Sequence, residues 1–202
     1  KLLDSSAVIG IMGLGYVGLP LAVEFSKKYK VIGYNKDESK IKLLLENKSY
    51  IEDVADEEIN LERFYPTVNY NDLVKCDVII IAVPTPLMDD KSPDLSYIKD
   101  AAEMAGSILK RGQFIILKST TYPGTTEEYL IPILEYISGL KSISDFGVAY
   151  SPERVDPGNK VYNIKNTPNV VGGLTPEFTD ICPTLYDGLT NEIIKVKDCK
   201  TA

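Results

Sequence analysis

The stretch that decides the fold runs from Ala7 to Gly18 and reads Ala-Val-Ile-Gly-Ile-Met-Gly-Leu-Gly-Tyr-Val-Gly. Its first half is an apolar run, which predicts a buried strand. Its second half matches the pattern Gly-x-Gly-x-x-Gly, and the segment 17–28 has the spacing of a helix. A strand, a glycine loop and a helix in this order are typical of a dinucleotide-binding unit. The alternative is a tight strand-to-helix turn that binds no ligand.

Each glycine of this loop has its own predicted role. Gly13 allows the strand to turn tightly, Gly15 allows the backbone to approach a pyrophosphate, and Gly18 allows the helix to pack closely on the strand. The N–H groups and the dipole of the first helical turn then hold the anion. The loop is therefore predicted to bind the pyrophosphate of a dinucleotide.

Outside this stretch, apolar runs alternate with helix-period segments along almost the whole chain. The predicted strands are residues 7–12, 30–34, 77–83, 113–118, 146–150, 168–171 and 193–196. The predicted helices are residues 17–28, 37–46, 96–109, 125–137 and 175–186; their start signals include Ser96, a capping box of Thr125 and Glu128, and Thr175 before Pro176. This alternation predicts an α/β fold with a doubly wound, mainly parallel Rossmann-type sheet and extra carboxyl-terminal strands. The polar, acidic segment 47–67 is assigned no element.

The ribose end of the predicted site departs from the usual pattern. An acidic residue is expected about 20 positions after the glycine loop, at the end of the second strand, where it binds the adenosine ribose. Asn35 stands there, and Asp37 follows two residues later. An amide can hydrogen-bond a ribose hydroxyl but lacks the charge that repels a 2′-phosphate. These residues therefore predict a dinucleotide and leave the choice between NAD and NADP open.

Composition and charge exclude several classes of partner. The 202 residues carry 22 basic and 29 acidic side chains, a formal net charge of −7. No run of Lys and Arg is present, which argues against a nucleic-acid partner. No apolar stretch approaches the roughly 18 residues of a membrane span, and no signal-peptide pattern is visible. We therefore predict no membrane partner and a cytoplasmic location.

The cysteines and the absence of histidine limit the chemistry. Cys76, Cys182 and Cys199 lie far apart and form no Cys-x-x-Cys pair, so free structural thiols fit better than a disulfide framework or a zinc site. The chain contains no histidine, which removes the commonest metal ligand. We predict no metal site, and any catalysis falls to Thr, Lys, Glu, Asp or Cys.

Four stretches carry a resemblance to a known family. They are Gly13-Leu-Gly-Tyr-Val-Gly-Leu-Pro-Leu-Ala22, Val83-Pro-Thr-Pro86, Lys118-Ser-Thr-Thr-Tyr-Pro-Gly-Thr-Thr126 and Tyr150-Ser-Pro-Glu-Arg-Val-Asp-Pro-Gly158. In this order they resemble the amino-terminal half of the UDP-glucose/GDP-mannose dehydrogenase family, from Ala7 to the end of the chain. The Tyr-Ser-Pro-Glu-Arg form is most similar to the branch that oxidises UDP-N-acetylhexosamines.

The resemblance implies an activity and a domain plan. The cofactor would be NAD, and the substrate a UDP-sugar whose C6 alcohol is oxidised to a carboxylate in two NAD-dependent steps. Residues 1–202 would be a single NAD-binding domain, with a Rossmann core at about 7–140 and an extension at about 141–202. In the family a nucleophilic cysteine captures the aldehyde, and the resulting thioester is hydrolysed. This cysteine and the family's catalytic lysine would lie in a second domain beyond this chain. The parent enzyme would be a homodimer or a higher oligomer.

The resemblance also implies residue roles. The cofactor would contact Gly13, Gly15, Tyr16, Val17, Gly18, Asn35, Lys40, Val83, Pro84, Thr85 and Thr120. Thr120 would also hold a catalytic water, and Glu153 would assist the acid–base chemistry of hydrolysis. The substrate would contact Glu153, Arg154, Val155 and Gly158. Thr85 and Thr120 follow strands at their carboxyl ends, where ligands bind in open α/β sheets.

Simpler interpretations stay open beside these roles. The segment 119–121 is also a plausible loop and cap, Glu153 and Arg154 a surface pair, and Lys118 and Lys40 solvated lysines. The alternative functions are a non-catalytic dinucleotide-binding module and another Rossmann dehydrogenase of the β-hydroxyacid type. Those dehydrogenases usually carry a Ser-Gly-Gly motif where this chain has Ser119-Thr-Thr121.

Overall fold

The computed structural model describes residues 1–154 and 164–202, and their strands form one sheet. The strands are β1 (Val8–Met12), β2 (Lys30–Tyr34), β3 (Phe64–Thr67), β4 (Val78–Ile81), β5 (Phe114–Leu117), β6 (Gly147–Tyr150), β7 (Asn169–Gly173) and β8 (Ile193–Lys195). Their order across the sheet is β3-β2-β1-β4-β5-β6-β7-β8. The pairings from β3 to β6 are parallel, β7 is antiparallel to β6, and β8 is parallel to β7. The predicted doubly wound, mainly parallel sheet with extra carboxyl-terminal strands is confirmed.

Helices cover both faces of this sheet. They are α1 (Gly18–Ser26), α2 (Glu38–Leu45), α3 (Ser96–Ile108), α4 (Ile131–Ser138) and α5 (Pro176–Tyr186). One buried cluster joins α1 and α5 to one face, with Leu19, Phe25 and Tyr186 among its members. A second cluster joins α3 and α4 to the other face, with Ile98 and Leu134 among its members. The strand order reverses between β1 and β4, which is where ligands bind in open α/β sheets.

Strand β7 runs against its neighbour β6. Ala149 pairs with Gly173 and Tyr150 pairs with Gly172. Strand β7 therefore begins at the carboxyl edge of the sheet and runs away from it. The beginning of β7, at Asn169, therefore lies at the same edge as the end of β6. This reversal determines which side chains meet beside Glu153.

The segment left unassigned from the sequence contains a strand. Residues Phe64–Thr67 form β3, which pairs with β2 at the edge of the sheet. Pro66 lies inside this strand, and proline is tolerated there because an edge strand has one side without ladder partners. A four-residue strand with a proline gives no periodicity that a sequence pattern would reveal.

Two of the three helix start signals are wrong. Ser96 is the first residue of α3 rather than its cap, and the Asp94 carboxylate accepts a hydrogen bond from its backbone N–H at 2.8 Å. Thr125 makes no capping bond; its hydroxyl donates to the Tyr122 carbonyl oxygen, and a π-helical turn (Thr126–Leu130) precedes α4. The third signal is confirmed, because the Thr175 side chain accepts from Phe178 N at the start of α5.

Candidate functional site

A cavity of about 500 Å³ opens at the carboxyl edge of the sheet, at the β1/β4 reversal. It is bounded by the end of β1, the glycine loop, the end of β2, the segment after β4 and one side of α3. The predicted cofactor residues that line it are Gly13, Gly15, Tyr16, Val17, Asn35, Lys40, Val83 and Pro84. The structure thus brings together in one cavity residues that are spread over some 70 positions of the sequence.

The three glycines of the loop are required for three different reasons. Gly13 has a φ of +94°, and a Cβ there would come within 2.6 Å of the Ala82 carbonyl oxygen. A Cβ on Gly18 would lie 1.7 Å from the Gly13 carbonyl oxygen. A Cβ on Gly15 would meet nothing within 4 Å. Gly13 and Gly18 are therefore demanded by the fold, whereas Gly15, which lines the cavity, has open space where a Cβ would lie.

The end of β2 presents an amide rather than a carboxylate to the cavity. The Asn35 Oδ1 accepts a hydrogen bond from Asp37 N at 3.0 Å. The Asp37 carboxylate caps α2 by accepting from Ser39 N, Ser39 Oγ and Lys40 N. These bonds lower the pKa of Asp37, the Ser39 hydroxyl contributing most. Asp37 also lines the cavity, but its carboxylate is already engaged by its own helix.

Lys40 is partly buried rather than freely solvated. Its ammonium group lies 5.3 Å from the centre of the Tyr50 ring. The Tyr50 hydroxyl donates to the Leu14 carbonyl oxygen at 2.6 Å, which ties the segment after α2 to the glycine loop. Lys40 is therefore held beside the loop, where a cation favours a phosphate group.

Helix α3 forms one wall of the cavity, a contribution that the sequence pattern did not predict. Its contribution consists of Tyr97, Asp100, Ala101 and Met104. Lys36, which follows β2, also lines the cavity, and its ammonium group lies 5.4 Å from the centre of the Tyr97 ring. The signal was present in principle, because the helix that follows β4 must begin at the same sheet edge as the glycine loop.

Thr85 and Thr120 lie outside the lining of this cavity and contact each other. The Thr85 hydroxyl donates to the Thr120 carbonyl oxygen at 2.7 Å, joining the segment after β4 to the segment after β5. Ser119 strengthens this junction, because its hydroxyl donates to the Val83 carbonyl oxygen at 2.7 Å. Both threonines follow strands at the carboxyl edge, as expected, and their contact with each other was not predicted.

Lys118 is buried, so its interpretation as a solvated lysine is wrong. Its side chain is 1% exposed, and its ammonium group donates to the Asn169 Oδ1 at 2.7 Å. The same group lies 3.6 Å from the Glu153 Oε2. Burial lowers the pKa of Lys118, and the Glu153 carboxylate opposes that shift. The cation nearest to Glu153 in sequence is Arg154, but the structure places the Lys118 ammonium group 3.6 Å from its carboxylate and gives Arg154 a backbone hydrogen bond to it.

The segment 151–154 continues the edge of the sheet past β6. Glu153 N donates to the Lys118 carbonyl oxygen at 3.2 Å, and the Glu153 Oε1 accepts from Arg154 N at 2.8 Å. The Arg154 guanidinium donates to the Ala202 carbonyl oxygen at 3.2 Å. The two other predicted substrate residues, Val155 and Gly158, lie outside the described residues.

The three cysteines have the properties of structural thiols. All are free and buried. Burial raises the pKa of Cys76, Cys182 and Cys199 to about 12 in each case. A thiol that stays protonated and covered at neutral pH is a poor nucleophile.

Residues 1–154 and 164–202 contain no group of three His, Cys, Asp or Glu side chains placed to hold a metal ion. They also contain no helix whose length and hydropathy suit a membrane crossing.

Comparison with known proteins decides the family. Residues 7–190 match the NAD binding domain of the UDP-glucose/GDP-mannose dehydrogenase family. The chain belongs to the UDP-glucose/GDP-mannose dehydrogenase family. Among its relatives is a UDP-N-acetyl-D-glucosamine 6-dehydrogenase of Pseudomonas aeruginosa, 43% identical over 88% of this chain and 42% of the relative. A UDP-N-acetyl-D-mannosamine dehydrogenase of Pyrococcus horikoshii is 35% identical over 96% of this chain and 47% of the relative.

Solved structures of the family share the fold. An NDP-N-acetyl-D-galactosaminuronic acid dehydrogenase of Methanosarcina mazei superimposes with a TM-score of 0.90 at 32% identity, over 100% of this chain and 46% of the other. A glycerol-3-phosphate dehydrogenase of Coxiella burnetii, 15% identical with a TM-score of 0.69, shares the fold alone. The chain spans about half the length of the dehydrogenases it matches.

The cavity fits NAD, the cofactor that the family's binding domain carries. The open space above Gly15 allows a pyrophosphate to approach the backbone and the start of α1. Asn35 and Lys40 line the end of the cavity next to β2. The alternative of a tight turn that binds no ligand does not explain why the glycine loop and these two residues line one cavity.

Proposed function

We propose that this chain is the amino-terminal, NAD-binding half of a nucleotide-sugar 6-dehydrogenase. The substrate we propose is a UDP-N-acetylhexosamine, or UDP-glucose, whose C6 alcohol is oxidised to the uronate in two NAD-dependent steps. The observation that carries this proposal is the cavity beside the glycine loop in a member of this family. The names of relatives such as the UDP-N-acetyl-D-glucosamine 6-dehydrogenase support the sugar.

The residues at the cavity divide into binding and orienting groups. Gly15 leaves the space in which the pyrophosphate lies against the backbone, and Gly13 and Gly18 maintain that backbone. For the rest of the cofactor we propose six further residues that line the cavity. At the glycine loop and the end of β2 they are Tyr16, Val17, Asn35 and Lys40, and on the side next to β4 they are Val83 and Pro84. When bound, NAD supplies the ring that accepts a hydride.

The residues proposed for chemistry follow β5 and β6 at the same carboxyl edge of the sheet. The Thr85 hydroxyl donates a hydrogen bond to the Thr120 carbonyl oxygen, and this bond supports the loop that carries Thr120. We assign the Thr120 hydroxyl to orienting a water, because a hydroxyl alone is not a base near neutral pH. We assign Glu153 to moving a proton in the hydrolysis step, and Glu153 with Arg154, Val155 and Gly158 to contacting the substrate.

The proposal includes an arrangement of the whole enzyme. Residues 1–202 are one NAD-binding domain, with the family's cysteine and lysine supplied by the remainder of the protein, in a homodimer or higher oligomer. The location proposed is the cytoplasm, where free thiols such as the three cysteines of this chain persist.

The experiment is a pair of measurements. Calorimetry of the 202-residue chain is expected to detect binding of NAD. The protein extended by its remaining domain is then mixed with NAD and UDP-N-acetylglucosamine, UDP-glucose or a small β-hydroxy acid, and NADH is recorded at 340 nm. Turnover of a UDP-sugar supports the proposal. Turnover of the hydroxy acid alone, or NAD binding without any turnover, favours the other dehydrogenase class or the non-catalytic module.

A further inference from the structure

The two faces of β5 explain why Lys118 is buried. Side chains alternate along this strand, with Phe114 and Ile116 in the core under α1 and α5, and Ile115 and Leu117 in the core under α3 and α4. Lys118 comes next in the alternation, so its side chain enters the α5 side. Its ammonium group lies 5.9 Å from the centre of the Tyr186 ring of that helix.

Three elements meet at the Lys118 ammonium group. Strand β7 contributes Asn169, whose Oδ1 accepts its hydrogen bond at 2.7 Å. The segment after β6 contributes Glu153, with Oε2 at 3.6 Å. Helix α5 contributes the ring of Tyr186. Asn169 is itself buried, so the lysine has a fixed anchor besides Glu153.

The two oxygens of the Glu153 carboxylate contact different groups. Oε1 accepts from the backbone N–H of Arg154, and Oε2 faces the Lys118 ammonium group. The backbone of Glu153 is tied as well, because its N–H donates to the carbonyl oxygen of Lys118. One residue thus restrains both the main chain and the carboxylate of Glu153.

Stability alone is a poor reason for a lysine at this place. Removing an ammonium group from water costs several kcal/mol, and an apolar side chain of similar volume is often as stabilising as a buried ion pair. The groups that face Lys118 also act in opposite directions on its charge: Glu153 favours it, whereas burial and the Arg154 guanidinium disfavour it. A cation retained under these conditions points to a role in the neighbouring site.

We propose that Lys118 is a positioning residue for Glu153: anchored by Asn169, its ammonium group fixes the orientation of the Glu153 carboxylate at the carboxyl edge of the sheet. The use of that orientation in catalysis rests on the proposed function. The geometric part of the proposal concerns this chain alone and is tested separately.

The first experiment needs no activity. The chain is labelled with glutamate carrying ¹³C at the side-chain carboxyl, and the Glu153 signal is assigned by its loss in Glu153→Gln. Lys118→Met keeps the volume and removes the charge, and we expect it to move or broaden the Glu153 signal by more than its linewidth. Asn169→Leu leaves both charges in place but removes the anchor, and we expect the same signal to change. Lys195→Met removes an exposed lysine that pairs with Asp180 and serves as the control.

The outcomes of this experiment are decisive for the geometry. A Glu153 signal that stays unchanged in folded Lys118→Met, or in Asn169→Leu if Lys118→Met does not fold, overturns the proposal. A change in these variants and none in Lys195→Met supports it, whether or not the whole protein turns over a UDP-sugar.

The second experiment uses the protein extended by its remaining domain. We expect Lys118→Met to lower kcat by roughly a hundredfold, as a misplaced catalytic group does, with the Kd for NAD unchanged. In Lys118→Ala, ethylammonium is expected to restore turnover, whereas ethanol, which has nearly the same size but no charge, is not. Equal effects of the two additives, or a parallel loss of NAD binding and turnover, overturn the positioning role. A wild-type protein that oxidises no UDP-sugar contradicts the proposed function, and the carboxyl signal then decides the geometric proposal alone.

Discussion

At the residue scale, substitutions at Gly15 and Gly18 are expected to affect cofactor binding and folding separately. Gly15→Val is expected to abolish NAD binding and leave the fold intact, because its side chain enters the open space of the cavity. Gly18→Ala is expected to lower the free energy of unfolding by about 3 kcal/mol, because its Cβ overlaps the Gly13 carbonyl oxygen. Calorimetry with NAD and thermal melting followed by circular dichroism measure the two effects.

The two variants are controls for each other. Unchanged NAD affinity in a natively folded Gly15→Val would remove the glycine loop from the binding site. A Gly18→Ala variant that melts like the wild type would show that the helix start relaxes more easily than its contacts suggest.

Asn35 gives a second prediction at the scale of one residue. Asn35→Asp is expected to raise the preference for NAD over NADP by about fivefold, because a carboxylate repels the 2′-phosphate with an energy of about 1 kcal/mol. The affinities of both cofactors are measured by calorimetry for the wild type, for Asn35→Asp and for Asn191→Asp, an exposed position at the opposite end of the chain. If all three proteins have the same NAD/NADP ratio, Asn35 does not contact the ribose.

At the scale of elements, Glu135 connects the end of α4 to the segment that leads into β6. Its carboxylate accepts hydrogen bonds from Lys141 Nζ at 2.9 Å, Ser142 N at 2.9 Å and Ser142 Oγ at 2.7 Å. These bonds, the one from Lys141 contributing most, lower the pKa of Glu135 to about 2 from an ordinary 4.5. The ionised carboxylate therefore holds this connection more strongly than the protonated acid does.

The pH dependence of stability follows from this lowered pKa. Its contribution to stability is complete above pH 4.5 and is lost as the pH falls toward about 2. Because the pair lies near solvent, we expect Glu135→Gln to lower the free energy of unfolding by about 1 kcal/mol at pH 7 and to have less effect at pH 3. Urea unfolding at both pH values tests this. The exposed Glu192→Gln is the control, and an equal loss at both pH values contradicts the assignment.

At the scale of the whole molecule, the buried thiols report on the fold as a unit. Cys76 and Cys199 belong to the core under α3 and α4, and Cys182 to the core under α1 and α5. Because burial raises the pKa of each thiol to about 12, we expect almost no reaction with a disulfide reagent at pH 8 in the native chain. In urea all three are expected to react. Rapid labelling of one native thiol would identify a locally open element.

The last prediction concerns the activity of the chain by itself. The proposed function assigns the nucleophilic cysteine and the catalytic lysine of the family to the remainder of the protein, and the three cysteines of this chain are buried. An enzyme that does not hold its substrate in position has an activation barrier higher by on the order of 7–11 kcal/mol. We expect the 202-residue chain to bind NAD but to produce no detectable NADH from UDP-N-acetylglucosamine. Steady NADH formation at 340 nm, abolished in one Cys→Ser variant, would assign the chemistry to a thiol of this chain.

The sequence by itself determined the fold class and the cofactor loop. The apolar run that ends in Met12 and the glycines that follow it are local signals, since a buried strand, a tight turn and a helix start each depend on adjacent residues. The same holds for the strands at 77–83 and 113–118 and for the cap at Thr175. The four short motifs named the family, which the match over residues 7–190 confirmed. The start of α3 at residue 96 was predicted, but its capping by Asp94 and the proline-containing strand β3 were missed, because these signals are short and depend on neighbouring elements.

The tertiary structure alone decided which side chains share a site. The wall formed by α3 belongs to the cavity because strand order reverses between β1 and β4, a relation between distant segments. Lys118 carries no sequence signal of burial; it is covered because the alternation along β5 turns it toward α5. Asn169 reaches it only because β7 runs antiparallel to β6 and brings its first residue to the carboxyl edge. Strand direction is set by the packing of the whole sheet, and for that reason no local pattern predicted the contact of Lys118 with Glu153.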